Sequence, residues 1–344
     1  MAVATQTVSA DLIAAGLSIE IIPTGEPQSG KLRRVNRLRR LLTSIYLIAK
    51  SRAPSAYIAV NGNAGIFWNI LQVISARATQ KSITLHHHSF RYIARWDPLM
   101  AVLVRAAGSA AWHFTNCDAM NILFSEKYPY AQHVKAYSNI GSVAARPEEP
   151  LGNNATPLRL GHLSNLTEEK GVGRAIDAFR QALQSGYDVE LAVAGPAMSA
   201  YAERIISSAK DEFGTKFQYL GPVYEHQKQN FFSSLDIFLF PSLYPTETQG
   251  IVNLEAIAHG VPVVAFDQCC IKSDIHGKGG LVIGRKDNFS EALVEYISKF
   301  IQRRSEFRRS ARERFADLMR EHEIERNTLR TRLRGCRYEE VANA

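Results

Sequence analysis

This sequence predicts an α/β fold of two doubly wound domains in series, and three observations carry the prediction. Short β-type runs alternate with helical segments along most of the chain, the pattern of parallel strands covered by helices on both faces. Residues 142–157, rich in Pro, Gly, Asn and Glu, interrupt that alternation and read as a linker. With 344 residues the chain is long enough for two domains of roughly 150 residues each. The expected division is 1–141 for a first domain and 158–315 for a second, with 316–344 a helical tail that packs back on the first.

The first domain opens on a helix, Ala2–Ala15, where such domains ordinarily open on a strand and a glycine-containing turn. Either the sheet lacks its first strand or the reading frame is truncated, and truncation is the expectation. Ser18–Ile22, Tyr57–Val60, Ser82–His86, Ala110–Phe114 and Val134–Tyr137 read as strands, with Ala64–Ala78 a buried helix between two of them. Thr115 or Asn116 is placed to cap a further helix. In the second domain the strands are Leu158–Leu163, Val189–Ala194, Phe217–Leu220, Ile237–Phe240 and Val261–Phe266. The helix after the first of them sets Val172, Ala175, Ile176, Phe179, Ala182 and Leu183 along one side. From Ser290 onward the chain is helical and highly charged.

Composition narrows the class. At 46% hydrophobic and 22% charged the chain is globular. No apolar run reaches the roughly 18 residues of a spanning helix, and the N-terminal residues lack a secretory pattern, so a cytoplasmic address is the default. The net charge of +8 concentrates in Lys31–Arg40 and in Arg303, Arg304, Arg308, Arg309, Arg312 and Arg314. No nucleic-acid motif accompanies either cluster, so nucleic acid is not an expected partner. The run Lys31–Arg40, followed by Leu41, Leu42, Ile45 and Leu47, reads as a basic amphipathic helix suited to an anionic membrane surface. That would make the protein peripheral on the inner face of the plasma membrane. The four cysteines include adjacent Cys269 and Cys270 but no second pair at metal-ligand spacing.

The stretch from Phe240 to Val264 is the most informative. A strand ends at Pro241, a polar loop follows, and a helix begins near Gln249 or Gly250. Loops at the carboxyl ends of parallel strands bind ligands, and a helix N-terminus offers free N–H groups to a diphosphate. Glu247 lies in the loop and Glu255 one to two turns into the helix, so the two can reach opposite ends of an elongated ligand. By spacing alone this pair also fits a glycosidase acid and base. Gly260 and Pro262 end the helix and lead into the next strand.

With Glu247-x7-Glu255, then Ala256-Ile-Ala-His-Gly260-Val-Pro262-Val263, the sequence resembles the retaining GT-B glycosyltransferases of the large group with bacterial mannosyl-, glucosyl- and galactosyltransferases. The likeness covers nearly the whole chain. It implies two Rossmann-like domains facing across a cleft, and transfer of a hexose from a nucleoside diphosphate sugar to a glycan or lipid-linked acceptor. Cell-surface polysaccharide or glycolipid synthesis is the implied setting, with no metal or other cofactor. On the same basis Glu247 contacts the sugar hydroxyls, Glu255 the ribose hydroxyls, and Thr248, Gln249 and Gly250 line the sugar and phosphates.

Lys170, in Gly161-His-Leu-Ser-Asn165-Leu-Thr-Glu-Glu-Lys170-Gly171, supplies a compact positive charge at a helix entrance. The resemblance gives it the diphosphate; the family's Arg five residues earlier is Asn165 here, a hydrogen-bonding group in place of a charge. In Leu85-His86-His87-His88, neighbouring strand residues point to opposite faces, so His86 and His88 share a side. Family members carry a His at this strand end that binds a donor hydroxyl, which points to His88 and then His86. Tyr224, in the turn after Gly221, would border the base, and Asn139 precedes the linker. A catalytically silent nucleotide-sugar-binding relative is the alternative, prompted by Asn165, by Thr248 in place of the usual Gly, and by the unusual start.

Overall fold

The computed structural model describes residues 2–24, 33–144 and 157–335; for 2–4, 33–37 and 335 it describes the backbone alone. Lys31 and Leu32 of the basic run, 145–156 of the expected linker and 336–344 of the tail lie outside the described residues. The chain divides into two compact units, unit 1 being 1–142 with 321–344 and unit 2 being 143–320.

Unit 1 runs α1 (Ala2–Ala14), α2 (Arg33–Lys50), β1 (Ser55–Val60), α3 (Gly65–Ala78), β2 (Ser82–His87), α4 (Arg91–Ala94), α5 (Pro98–Ala107), β3 (Trp112–Thr115), α6 (Asp118–Lys127) and β4 (His133–Ala136). The four strands are parallel and ordered β1-β2-β3-β4. Residue alternation decides what each face carries. Trp112 and Phe114 of β3 pack with Val8 and Leu12 of α1 and with Leu329 and Leu333, while His113 between them meets Phe124 of α6.

Two expectations need correction. Ser18–Ile22 forms no strand. Of its three isoleucines, Ile19 packs against the α1 cluster, Ile22 is half-buried and Ile21 is 65% exposed. A run with that division has no sheet face to join. The helix α6 is not capped by Thr115 or Asn116, because Cys117 holds the N-cap position and no side chain accepts there. The Thr115 hydroxyl instead lies within hydrogen-bond reach of Cys117 O and Asn121 Oδ1.

Unit 2 continues with β5 (Leu158–Leu163), α7 (Val172–Gln184), β6 (Val189–Ala194), α8 (Ala200–Phe213), β7 (Phe217–Tyr219), α9 (Glu225–Ser233), β8 (Ile237–Phe240), α10 (Ile251–Ala258), β9 (Val263–Phe266), α11 (Cys270–Ile275), β10 (Gly280–Ile283) and α12 (Phe289–Gln302). A last helix, α13 (Arg304–Gly335), begins in unit 2 and from Glu321 belongs to unit 1. The six parallel strands are ordered β10-β9-β8-β5-β6-β7. The stripe of α7 buries Val172, Ala175, Ile176, Phe179 and Ala182 beside Leu293, Ile297 and Phe300 of α12. The strand β10 and the short helix α11 were not expected from the sequence.

Part of the basic tail is consumed inside unit 2. Arg304 pairs with buried Asp236, and Arg308, 7% exposed, donates to Leu235 O at 2.9 Å and lies 3.3 Å from Asp236. Asp236 also accepts from the Arg159 amide at 2.9 Å. These arginines fasten α13 to the loop before β8 and are not available to an outside anion. In unit 1 the later turns of the same helix hold α1, where Arg326 and Arg330 both pair with Asp11. Burial raises the Asp11 pKa, but the two guanidiniums outweigh it and hold the carboxyl below its ordinary value.

Candidate active site

In unit 2, β5 and β8 are neighbours at which the strand order reverses, so the loops leaving their carboxyl ends flank a crevice. The two loops are bonded backbone to backbone, Leu243 N–H donating to Glu169 O at 2.8 Å. Gly171 has φ +87° and lies so close to the other loop that an added Cβ would sit 2.2 Å from Pro241 O. Gly171→Ala is therefore expected to cost about 2 kcal/mol or more, from strain and from pushing the loops apart. Denaturant unfolding measures it, and a midpoint equal to that of the unsubstituted protein counts against the close approach.

Lys170 leads into this glycine. Its Nζ lies 2.6 Å from Glu247 Oε2 and 4.5 Å from the centre of the Tyr244 ring. The Ser242 hydroxyl donates to the same carboxylate oxygen at 3.3 Å. A lysine from the β5 loop and a carboxylate from the β8 loop are thus held side by side, both mostly shielded from solvent, with side chains 20% and 10% exposed. Eight residues on, Glu255 of α10 pairs with Lys228 of α9 at 2.5 Å. Between them Gly250, at φ +60°, is the N-cap of α10, a left-handed conformation that glycine adopts without strain. The first turn of α10 leaves backbone N–H groups for an anion.

His162 ties the two strands together. Its Nδ1 lies 3.0 Å from Leu239 O and its Nε2 3.0 Å from Ser164 Oγ. A carbonyl can only accept, so the ring donates from Nδ1 and accepts at Nε2 from the serine hydroxyl. Burial holds this imidazole neutral, its pKa lowered to about 4.

Among the other residues singled out from the sequence, Thr248 accepts from the Cys270 amide at 3.1 Å through its carbonyl, and Gln249 is buried. Asn165 is exposed in the β5 loop. Tyr224, 68% exposed, is the N-cap residue of α9, and Asn139 opens a single 3-10 turn in unit 1. In unit 1, His86 and His88 are neighbours as the alternation requires, with ring centres 4.0 Å apart, and the Tyr57 hydroxyl meets His86 Nδ1. His88 Nε2 is buried without a hydrogen-bond partner, and burial lowers its pKa to about 4. His87, on the opposite face, lies 3.0 Å from His113.

Lys228, Tyr244, Ser242 and His162 went unremarked in the sequence. So did Asn253, which is fully buried in the first turn of α10 with neither side-chain polar atom bonded. Tyr244 and Ser242 lie within five residues of Glu247 and were within reach of a closer reading. Lys228 is 27 residues from its partner, and no local spacing announces it.

The family model described as glycosyl transferases group 1 matches residues 146–317, half of the chain. The chain belongs to this family. The capsular polysaccharide biosynthesis glycosyltransferase CapM of Staphylococcus aureus is 27% identical to it over 145 residues, 41% of this chain and 36% of that one. The amylovoran biosynthesis glycosyltransferase AmsK of Erwinia amylovora is 30% identical over 152 residues, 42% of this chain and 36% of the relative. The aligned part thus spans little more than a third of either relative's length. Among solved structures, Anabaena HepE in complex with UDP has a TM-score of 0.67 at 16% identity, covering 93% of this chain and 88% of that one. The pneumococcal O-GlcNAc transferase GtfA in complex with UDP and GlcNAc has the same TM-score at 15% identity, covering 86% and 60%. At such identities the likeness concerns the fold, so this group 1 glycosyl transferase has the GT-B fold expected of it. No described helix is long and apolar enough to cross a membrane.

Proposed function

We propose that this group 1 glycosyl transferase moves a hexose from a nucleoside diphosphate sugar to a glycan or lipid-linked acceptor, with retention at the anomeric carbon. The observation that carries the reading is Lys170, held between Glu247 and Tyr244 at the strand-order reversal. A fixed ammonium at that place neutralises the charge that grows on the leaving β-phosphate. The N-terminus of α10 at Gly250 adds backbone donors, and Asn165 adds a hydrogen bond. Glu247, acceptor-only when ionised, accepts hydrogen bonds from the sugar hydroxyls, and Glu255, oriented by Lys228, from those of the ribose. Thr248 and Gln249 line the phosphate and sugar, and Tyr224 borders the base. In unit 1, neutral His88 and then His86 would bond a donor hydroxyl.

In the transfer the acceptor oxygen bonds to the anomeric carbon as the bond to the phosphate oxygen breaks. That phosphate takes the acceptor proton on the same face, so no protein nucleophile is needed. Synthesis of a bacterial surface polysaccharide or glycolipid is the setting, in keeping with the names of CapM and AmsK. The reaction needs no metal in this scheme.

A melting-temperature screen over UDP, GDP, ADP and their sugar conjugates tests the donor. The UDP complexes among the structural neighbours make UDP the first candidate. Saturating donor at about 100 times its Kd stabilises by roughly 2.7 kcal/mol, which is several degrees. The shift is expected to vanish in Glu255→Ala. No shift with any nucleotide sinks the donor site, and a shift with neither transfer nor donor hydrolysis returns the silent-protein reading.

A further inference from the structure

Unit 1 carries its charge with one sign over a long stretch. Between Glu26 and Asp118 there are thirteen lysines and arginines and one carboxylate, Asp97. Asp97 is already engaged at the start of α5, accepting from the Leu99 and Met100 amides.

Most of the helices in that stretch form one layer. Gln72 of α3 donates to Ser44 of α2 at 2.9 Å, Ser75 donates to Ile45 O at 2.8 Å, and Arg77 donates to Ala106 O of α5 at 3.0 Å. Each helix buries one side, through Leu41 and Ile48, Ile70 and Val73, and Leu103 and Val104. Apolar side chains are exposed beside these buried stripes as well. Leu38, Leu42 and Tyr46 follow one another at one-turn spacing along α2, Phe67 and Ile74 lie two turns apart on α3, and Val102 is on α5, at exposures of 47–60%. Exposed Arg39, Lys50 and Arg105 accompany these rows. An outer helix face is ordinarily polar, and apolar rows on two adjacent helices, with Val102 on a third, form a patch that calls for a partner.

Chemistry selects the partner. A second copy of this chain would set like charges against one another. A nucleic acid would have no use for rows of Leu, Ile and Val. A bilayer surface with anionic phospholipid satisfies both features, since the apolar rows enter the headgroup–acyl boundary while the cations sit at phosphate level. We propose that the outer face of α2, α3 and α5 docks this protein on an anionic bilayer. The surface is wider than the run Lys31–Arg40 and does not depend on how the donor is bound, although it would bring a lipid-linked acceptor within reach.

Co-sedimentation of the full chain with vesicles tests it. Binding is expected to vesicles rich in phosphatidylglycerol, about tenfold or more weaker to phosphatidylcholine alone, and lost at high salt. Leu42→Glu with Phe67→Glu, and separately Arg39→Glu with Lys50→Glu, should each reduce binding about tenfold while leaving the nucleotide-induced melting shift unchanged. That shift shows the protein is folded and reads the donor proposal independently. Wild-type binding by both variants, equal binding to the neutral vesicles, or no sedimentation at all overturns the proposal. So does full competition by soluble glycerol phosphate, which would mean an anion pocket. A wild-type dimer that Leu42→Glu with Phe67→Glu converts to monomer also overturns it, by making the face a contact between copies.

Discussion

Lys170→Ala is expected to lower turnover by about 100- to 1000-fold, the usual loss when one fixed donor to developing negative charge is removed. The melting temperature should barely move. The Lys170–Glu247 pair has side chains 20% and 10% exposed, and an ion pair still reached by water contributes on the order of 1 kcal/mol or less. The lysine therefore matters for where it holds its charge more than for the stability of the unit. Its position depends on Glu247 on one side and the Tyr244 ring on the other. Lys170→Met, which keeps the length of the stem, should lose activity to the same extent. Steady-state rates with the preferred donor measure both, and an alanine enzyme with unchanged kcat removes Lys170 from the chemistry.

Stability should fall steeply in mild acid because both units bury neutral histidines. In unit 1, His87 and His113 lie 3.0 Å apart and fully buried, and a proton on either would place a charge where none is solvated. Burial lowers the His113 pKa to about 3 and that of His88 to about 4, and holds His86 and His87 well below the ordinary value. In unit 2, His162 is lowered to about 4. An unfolded histidine takes up its proton near pH 6.5. Above that pH neither state binds the proton and these groups impose no pH dependence. Below it the unfolded chain gains protons that the folded one refuses, so stability drops as pH falls from about 6.5 toward the folded values. One group lowered to about 4 accounts for roughly 3 kcal/mol across that window, a large part of the 5–15 kcal/mol that a domain ordinarily has. Urea midpoints measured between about pH 7 and pH 5 should decline throughout. A flat profile over that range would mean the histidines are hydrated in the folded protein.

Much of the fold was legible because its signals are local. Each strand of unit 2 from β5 to β9 was expected within about two residues, since a fully buried parallel strand reads as a continuous apolar run. The stripe of α7 and the glycine at the start of α10 were equally plain. The strand β10 escaped because Gly280–Ile283 is short and only partly buried. Ser18–Ile22 misled because an alternating run becomes a strand only if a neighbour accepts its hydrogen bonds. The cap of α6 was misplaced because Thr115 and Asn116 compete with Cys117 within three residues; the Thr115 hydroxyl bonds elsewhere, and the Asn116 side chain is buried with neither polar atom bonded. At the site, Glu247 and Glu255 stood out as a pair and the family resemblance gave them and Lys170 their roles, whereas Lys228 did not stand out, since a contact 27 residues away leaves no trace in local order.

By itself the sequence determined the α/β class, the two lobes, the β8 loop with its two glutamates and the one-sided charge of the first lobe. Each follows from periodicity, from turn residues or from counting charges, all of which act over a few residues. Only the tertiary structure decided what those charges meet. Folding brings Lys170 to Glu247 across 77 residues, gives Arg304 and Arg308 to Asp236, and leaves apolar side chains of α2, α3 and α5 exposed beside exposed Arg39, Lys50 and Arg105. A charged side chain acts on whatever lies within a few ångströms of it, and that neighbourhood exists only once distant parts of the chain have packed together.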